Sequence, residues 1–202
     1  AVNFKNVRRA KHVIRVMSVL GISLVASGIS PLHDDRSLNA LTVLDASRRH
    51  SEYLVLGDSA FAFISHIPEA QEIIQHAGTL IFAAQPCQRL LIRGCMEVTP
   101  SSAFDIYVLN RYRITRAVVV ATGYNDTDVN VLSSALEKFC ALAGQLGQKI
   151  IWVTYAEYGS LRVRATKFNK TLRTFQSTHE GFSLADWNSL TRESGRYFAP
   201  DG

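Results

Sequence analysis

From about Ser51 onward the chain alternates short, apolar, β-rich runs with longer amphipathic stretches, and this alternation constrains its fold more than any other feature. The runs fall at 53–56, 79–84, 117–122, 149–154 and 182–185. Each is separated from the next by enough residues for a crossover, which parallel strands require and a hairpin does not. The third run, Arg116-Ala117-Val118-Val119-Val120-Ala121-Thr122, is nearly all apolar, as suits a central strand covered on both faces. Between the third and fourth runs, Leu132, Ala135, Leu136, Phe139, Cys140 and Ala143 form one apolar stripe at helical spacing. With no internal repeats or low-complexity tracts, residues 51–202 are expected to form a single α/β domain. The expected architecture is a three-layer, doubly wound, flavodoxin-like parallel sheet of five strands.

Composition narrows the class. Of 202 residues, 47% are hydrophobic and 19% charged, which is globular and argues against disorder. A net charge of +5 invites a nucleic-acid reading that the distribution does not support. Basic residues gather at the N-terminus (Lys5, Arg8, Arg9, Lys11, Arg15) and across 162–173, without the interleaved aromatics of a base-stacking surface. In the second cluster Ala165, Phe168, Leu172 and Phe175 recur at helical spacing. Arg164, Lys167, Lys170 and Arg173 fall on other faces, so they read as the solvated side of an amphipathic helix. No G-x-G-x-x-G or P-loop pattern follows any candidate strand, which disfavours a nucleotide-binding protein.

Residues 16–32 carry no charge and follow the basic N-terminal segment. The stretch resembles a signal sequence, a signal anchor or the end of a membrane span, although a span needs roughly 20 apolar residues. A soluble helix packed on the domain is the competing reading. Residues 1–50 are therefore expected to be a targeting or anchoring segment with a linker. A chain that opens on alanine is expected to be a fragment.

The chemistry points to strand ends. Gly57-Asp58-Ser59 follows the first strand directly and leads into the helix-like 60–64, which would place a serine hydroxyl at the carboxyl end of the sheet. Alone this is ordinary turn composition. A second turn, Gly123-Tyr124-Asn125-Asp126, follows the third strand and would lie beside the first. An asparagine amide aimed at the serine would donate to an oxyanion, although Asx turns and helix caps use the same residues. The chain closes on Tyr197-Phe198-Ala199-Pro200-Asp201-Gly202. Cys87 and Cys95 flank a short loop, and their spacing leaves a disulfide and two reduced thiols equally open. Cys140 reads as a core residue.

Taken together, Gly-Asp-Ser after the first strand, Gly-x-Asn-Asp after the third and the closing Ala-Pro-Asp-Gly resemble the SGNH (GDSL-like) hydrolases, over about 53–202. The segment Phe168-Asn169-Lys170-Thr171-Leu172, then Leu184-Ala185-Asp186-Trp187, is similar to SGNH domains of bacterial cell-envelope proteins. The resemblance implies an esterase or O-acyltransferase that removes or moves acyl groups, acetyl foremost, on an envelope glycan or similar ester, with no metal or organic cofactor. Ser59 then resembles the acyl-enzyme nucleophile. Its N–H and Asn125 would be the oxyanion donors, Asp201 would orient the histidine base, and Gly57, Asp58, Gly123 and Asp126 would shape the two turns. Many members carry a cysteine pair after the second strand, and an extracytoplasmic location, with membrane anchoring through the N-terminal segment, is the expectation that follows. Two features depart from the pattern. The histidine expected three residues after Asp201 falls beyond Gly202, so a truncated C-terminus is expected. Where the family has a glycine donor after the second strand, this chain has Ala83-Ala84-Gln85-Pro86-Cys87. Pro86 lacks an N–H, which leaves Gln85 or Gly94 as the substitute. A non-catalytic module of the same fold, binding glycan or protein, is the alternative.

Overall fold

The computed structural model describes residues 50–192 except Ser65, Val98 and Pro100. The expectations for residues 1–49, including the uncharged stretch, and for Asp201 lie outside the described residues. In chain order the described elements begin with β1 (Ser51–Gly57), α1 (Ser59–Ile64), α2 (Pro68–His76), β2 (Leu80–Ala84) and α3 (Ala103–Asn110). They continue with β3 (Ile114–Ala121), α4 (Val129–Gln145), β4 (Lys149–Val153), α5 (Arg162–Gln176), β5 (Phe182–Ala185) and α6 (Trp187–Arg192).

All five strands are parallel, in the order β2-β1-β3-β4-β5. The expected α/β class and doubly wound flavodoxin-like arrangement are therefore observed. Side chains alternate between two cores because successive strand residues point to opposite faces. Leu54, Leu56, Val118, Val120, Ile150 and Trp152 pack with α3, α4 and α5 on one face. Val55, Val119, Ala121, Val153 and Ala185 point to the other, which Phe61 of α1 and Trp187 of α6 help to cover. The α1–α2 unit contributes its own cluster of Ile64, Ile67, Ala70 and Ile74. Both faces of β3 are thus buried, which explains its unbroken apolar run.

Local chemistry sets the helix starts. Ser102 and Asp105 form a reciprocal capping box at α3, and the Asp128 carboxylate caps α4 by accepting the Asn130 N–H at 2.8 Å. Pro68 opens α2, where a missing N–H costs nothing. On α5, Ala165, Phe168, Leu172 and Phe175 are buried as their spacing predicts. Cys140 is half-buried and packs against the main core, and burial raises its thiol pKa to about 11.

Strand ends differ slightly from expectation. β3 starts at Ile114, three residues early: exposed Thr115 and Arg116 interrupt the apolar signal and sit where the β1–β3 register shifts, between the pairs Ser51–Ile114 and Tyr53–Ala117. Arg116 there meets Glu52 of β1 at 2.9 Å. Thr122 and Thr154 leave their strands one residue early, and each hydroxyl bonds a neighbouring loop instead.

Candidate active site

The sheet order reverses between β1 and β3: the chain passes from β1 outward to β2, then returns across β1 to β3. In open parallel sheets this switch point leaves a crevice beyond the carboxyl ends of the strands, where ligands bind. Gly57 pairs with Ala121, so the turn 57–59 and the turn 123–126 leave the sheet side by side at that crevice. The structure therefore brings together the two turns singled out in the sequence.

In the first turn Ser59 is exposed and opens α1, while Asp58 before it is buried. The Asp58 Oδ1 accepts the Ala60 N–H at 3.2 Å. Its Oδ2 is buried without a hydrogen-bond partner among the described residues. Burial raises the Asp58 pKa to about 7, only partly offset by backbone N–H bonds, and the nearby Asp126 charge adds to the rise. No hydrogen bond engages the Ser59 N–H among the described residues, which leaves it available to an incoming oxygen. Gly57 is required by packing: a Cβ there would overlap Phe61.

The second turn is held from several directions. Gly123 has φ +128°, in the left-handed region, and a Cβ there would overlap the Tyr155 hydroxyl. That hydroxyl donates to the Thr122 carbonyl at 2.9 Å, and the Tyr124 hydroxyl accepts the Ala156 N–H at 2.6 Å. Asn125 donates one amide N–H to the Gln88 carbonyl at 3.1 Å. An asparagine amide has two, so this bond fixes the side chain and leaves the second N–H for a ligand. The Asp126 carboxylate accepts the Leu90 N–H at 3.0 Å. Burial raises its pKa, against the opposing pull of Leu90 N–H, Arg89 and Arg164.

Gln88 was not visible as a functional candidate in the sequence, yet it organises the crevice. Its carbonyl accepts both Thr122 Oγ1, at 2.9 Å, and Asn125 Nδ2. Its own side-chain amide donates to the Ser101 carbonyl at 2.8 Å. The loop that presents it is closed by a Cys87–Cys95 disulfide with a Cα separation of 5.5 Å, which selects one of the two states the spacing left open. Cys87 itself sits at φ 56°. The only hint in the sequence was the cysteine pair, because a backbone carbonyl acting as acceptor leaves no trace in residue type.

The candidate replacements for the missing glycine donor are both engaged. Gln85 N–H donates to Gly57 O at 3.0 Å, and Gly94 N–H to Thr99 O at 3.0 Å. The expectation that one of them serves the oxyanion is therefore corrected: the Gln85 N–H extends the β1–β2 pairing and the Gly94 N–H bonds within its own loop. Among the described histidines, His50, His76 and His179 lie at the amino ends of strands, opposite the crevice. The His66 ring lies against Phe63, beyond the far end of α1. No hydrogen bond joins any of them to Ser59. Among the described residues no group of three or more His, Cys, Asp or Glu is placed to hold a metal ion, and no helix is long and apolar enough to cross a membrane.

No protein-family model matches this chain, and no curated protein is significantly similar to it in sequence. The fold and the site geometry therefore carry the functional argument.

Proposed function

We propose that the chain is a serine esterase or O-acyltransferase of the SGNH type, acting on acyl groups of an envelope glycan or similar ester through a Ser59 acyl-enzyme. One observation carries this reading: an exposed serine, preceded by a buried aspartate, stands at the β1/β3 switch point beside an asparagine whose orientation is fixed. Ser59 Oγ attacks the acyl carbonyl and passes its proton to a base. The Ser59 N–H and the second Asn125 N–H stabilise the oxyanion. Collapse expels the alcohol, and water or a sugar hydroxyl then takes the acyl group from Ser59. The base that the SGNH resemblance implies is a histidine oriented by Asp201, and Asp201 itself lies outside the described residues. No step needs a metal or organic cofactor. The Cys87–Cys95 disulfide supports an extracytoplasmic location, because such bonds persist in oxidising compartments.

A second reading, a glycan- or protein-binding module, is favoured by the engaged Gln85 and Gly94 N–H groups and by the distance of the described histidines from the crevice. Hydrolysis of p-nitrophenyl acetate by the full chain separates the two. Turnover that falls about a thousandfold or more in Ser59→Ala supports the enzyme. Equal turnover in both proteins, or none in either, moves the function to binding.

A further inference from the structure

The basic residues of α5, read from sequence as a solvated helix face, do more in the folded chain. Arg164 and Lys167 line an open groove of about 490 Å³ between the β3–α4 loop and the start of α5. This volume lies within the range of small-ligand sites. Both walls follow carboxyl ends of strands, so the groove opens on the same end of the sheet as Ser59. It also adjoins the crevice directly: Arg164 Nη2 donates to the Tyr124 carbonyl at 2.7 Å, one residue before Asn125.

Three observations define what the groove accepts. Its cations are differently placed: Arg164 is held by the Tyr124 carbonyl and its charge acts on Asp126, while Lys167 is exposed and, among the described residues, within ion-pair distance of no carboxylate. The lining contains one acid, Asp128, and its Oδ1 already accepts the Asn130 N–H at the start of α4. Beside Thr127 and Ser160, the lining carries apolar side chains, Val129, Leu161 and Phe168, joined by Val163, which is 69% exposed. A valine left that open beside the exposed Lys167 ammonium and the remaining N–H groups of the anchored Arg164 guanidinium suits a ligand with a flat apolar face and a negative group. A charge-assisted bond then reads the anion while the aliphatic edge covers the ring.

We infer that this groove binds the carboxylate-bearing ring of an acidic sugar residue. The inference rests on the esterase reading only in making that residue part of the acylated glycan, placed next to the ester at Ser59. The site itself is defined by the groove and needs no catalysis.

The test uses the full chain, ¹⁵N-labelled, titrated with D-glucuronate and, separately, with D-glucose and inorganic phosphate. Glucuronate is expected to shift amides within 127–129 and 160–168, saturably, and to bind at least tenfold more tightly than either comparison ligand. Lys167→Gln alters an exposed side chain, so the fold is expected to survive, and glucuronate affinity is expected to drop three- to tenfold. Glucose binding as well as glucuronate, phosphate binding as tightly, shifts elsewhere on the surface, or an unchanged Lys167→Gln titration would each overturn the proposal. Binding is read without turnover, so the two readings fail separately. Glucuronate bound by a protein inert to p-nitrophenyl acetate removes the esterase and keeps the groove. Ser59-dependent hydrolysis without glucuronate binding does the reverse.

Discussion

After β3, the side chains of Tyr124, Asn125 and Asp126 each make a hydrogen bond to a neighbouring loop. After β1, the side-chain bond that shapes the turn is the one from the Ala60 N–H to Asp58, within the turn itself. Two turns that leave adjacent strands at the same end of the sheet are thus built on different plans. The β3 turn is cross-braced and over-determined, whereas the β1 turn is defined by glycine packing and a buried acid that holds an unused oxygen. Freedom from bonding is what a reacting hydroxyl needs, and bracing is what an orienting amide needs. Under the proposed esterase reading, the contrast gives Ser59 the reacting role and the turn around Asn125 the positioning role.

The sharpest way to break this contrast is Gly123→Ala. The substitution demands φ +128° of a residue with a Cβ and drives that Cβ into the Tyr155 hydroxyl. A loss of about 3 kcal/mol in denaturant unfolding is expected, from backbone strain and steric overlap together. A loss below about 1 kcal/mol would show that the β3 turn can relax, and the bracing argument would fail.

Asp58 tests the other turn. Its pKa is raised from 3.8 to about 7 in the folded chain, so between those values the native state holds a proton that the unfolded state has released. The contribution to stability is therefore greatest below pH 3.8, falls as pH rises, and is lost above about 7. Between pH 5 and pH 8 this group alone lowers stability by about 3 kcal/mol. Asn at position 58 keeps an acceptor for Ala60 but does not titrate. Thermal melts should show wild-type Tm dropping over that interval relative to Asp58→Asn. Parallel pH profiles for the two proteins would mean that the carboxyl is not held neutral.

How legible each turn was follows from the same physics. The strands were readable because both faces of β1, β3 and β4 are buried, leaving runs such as Val118–Val119–Val120 with no polar interruption. Gly57, Asp58 and Ser59 were readable because a tight strand-to-helix turn restricts residue type at each position. Asn125 was visible as a residue, but its partner was not: a carbonyl at Gln88, 37 residues away, fixes it, and any amino acid supplies a carbonyl. The early start of β3 was masked because Thr115 and Arg116 face solvent at a register shift, while Ile114 before them still pairs with Ser51. Arg164 and Lys167 were assigned to a solvated face because helical periodicity reports which residues turn away from the core, and a groove formed by a second segment looks identical to solvent in that pattern.

The smallest expected effect concerns the brace itself. Cys87 holds a left-handed backbone at φ 56°, which a residue with a Cβ adopts at a cost, and the next residue presents the carbonyl that binds Thr122 and Asn125. The disulfide closes a loop with a sequence separation of 8, for which the chain-entropy relation gives about 2.5 kcal/mol. Replacing both cysteines with alanine should lower stability by that amount. More informative is where the loosening occurs. The Leu90 N–H donates to Asp126, and it should lose hydrogen-exchange protection by more than the global change, while β3 amides follow the global value. Loosening confined to the 86–99 loop, with Leu90 still protected, would mean that the β3 turn braces the loop rather than the loop bracing the turn, and the direction of support at the crevice would have to be reversed.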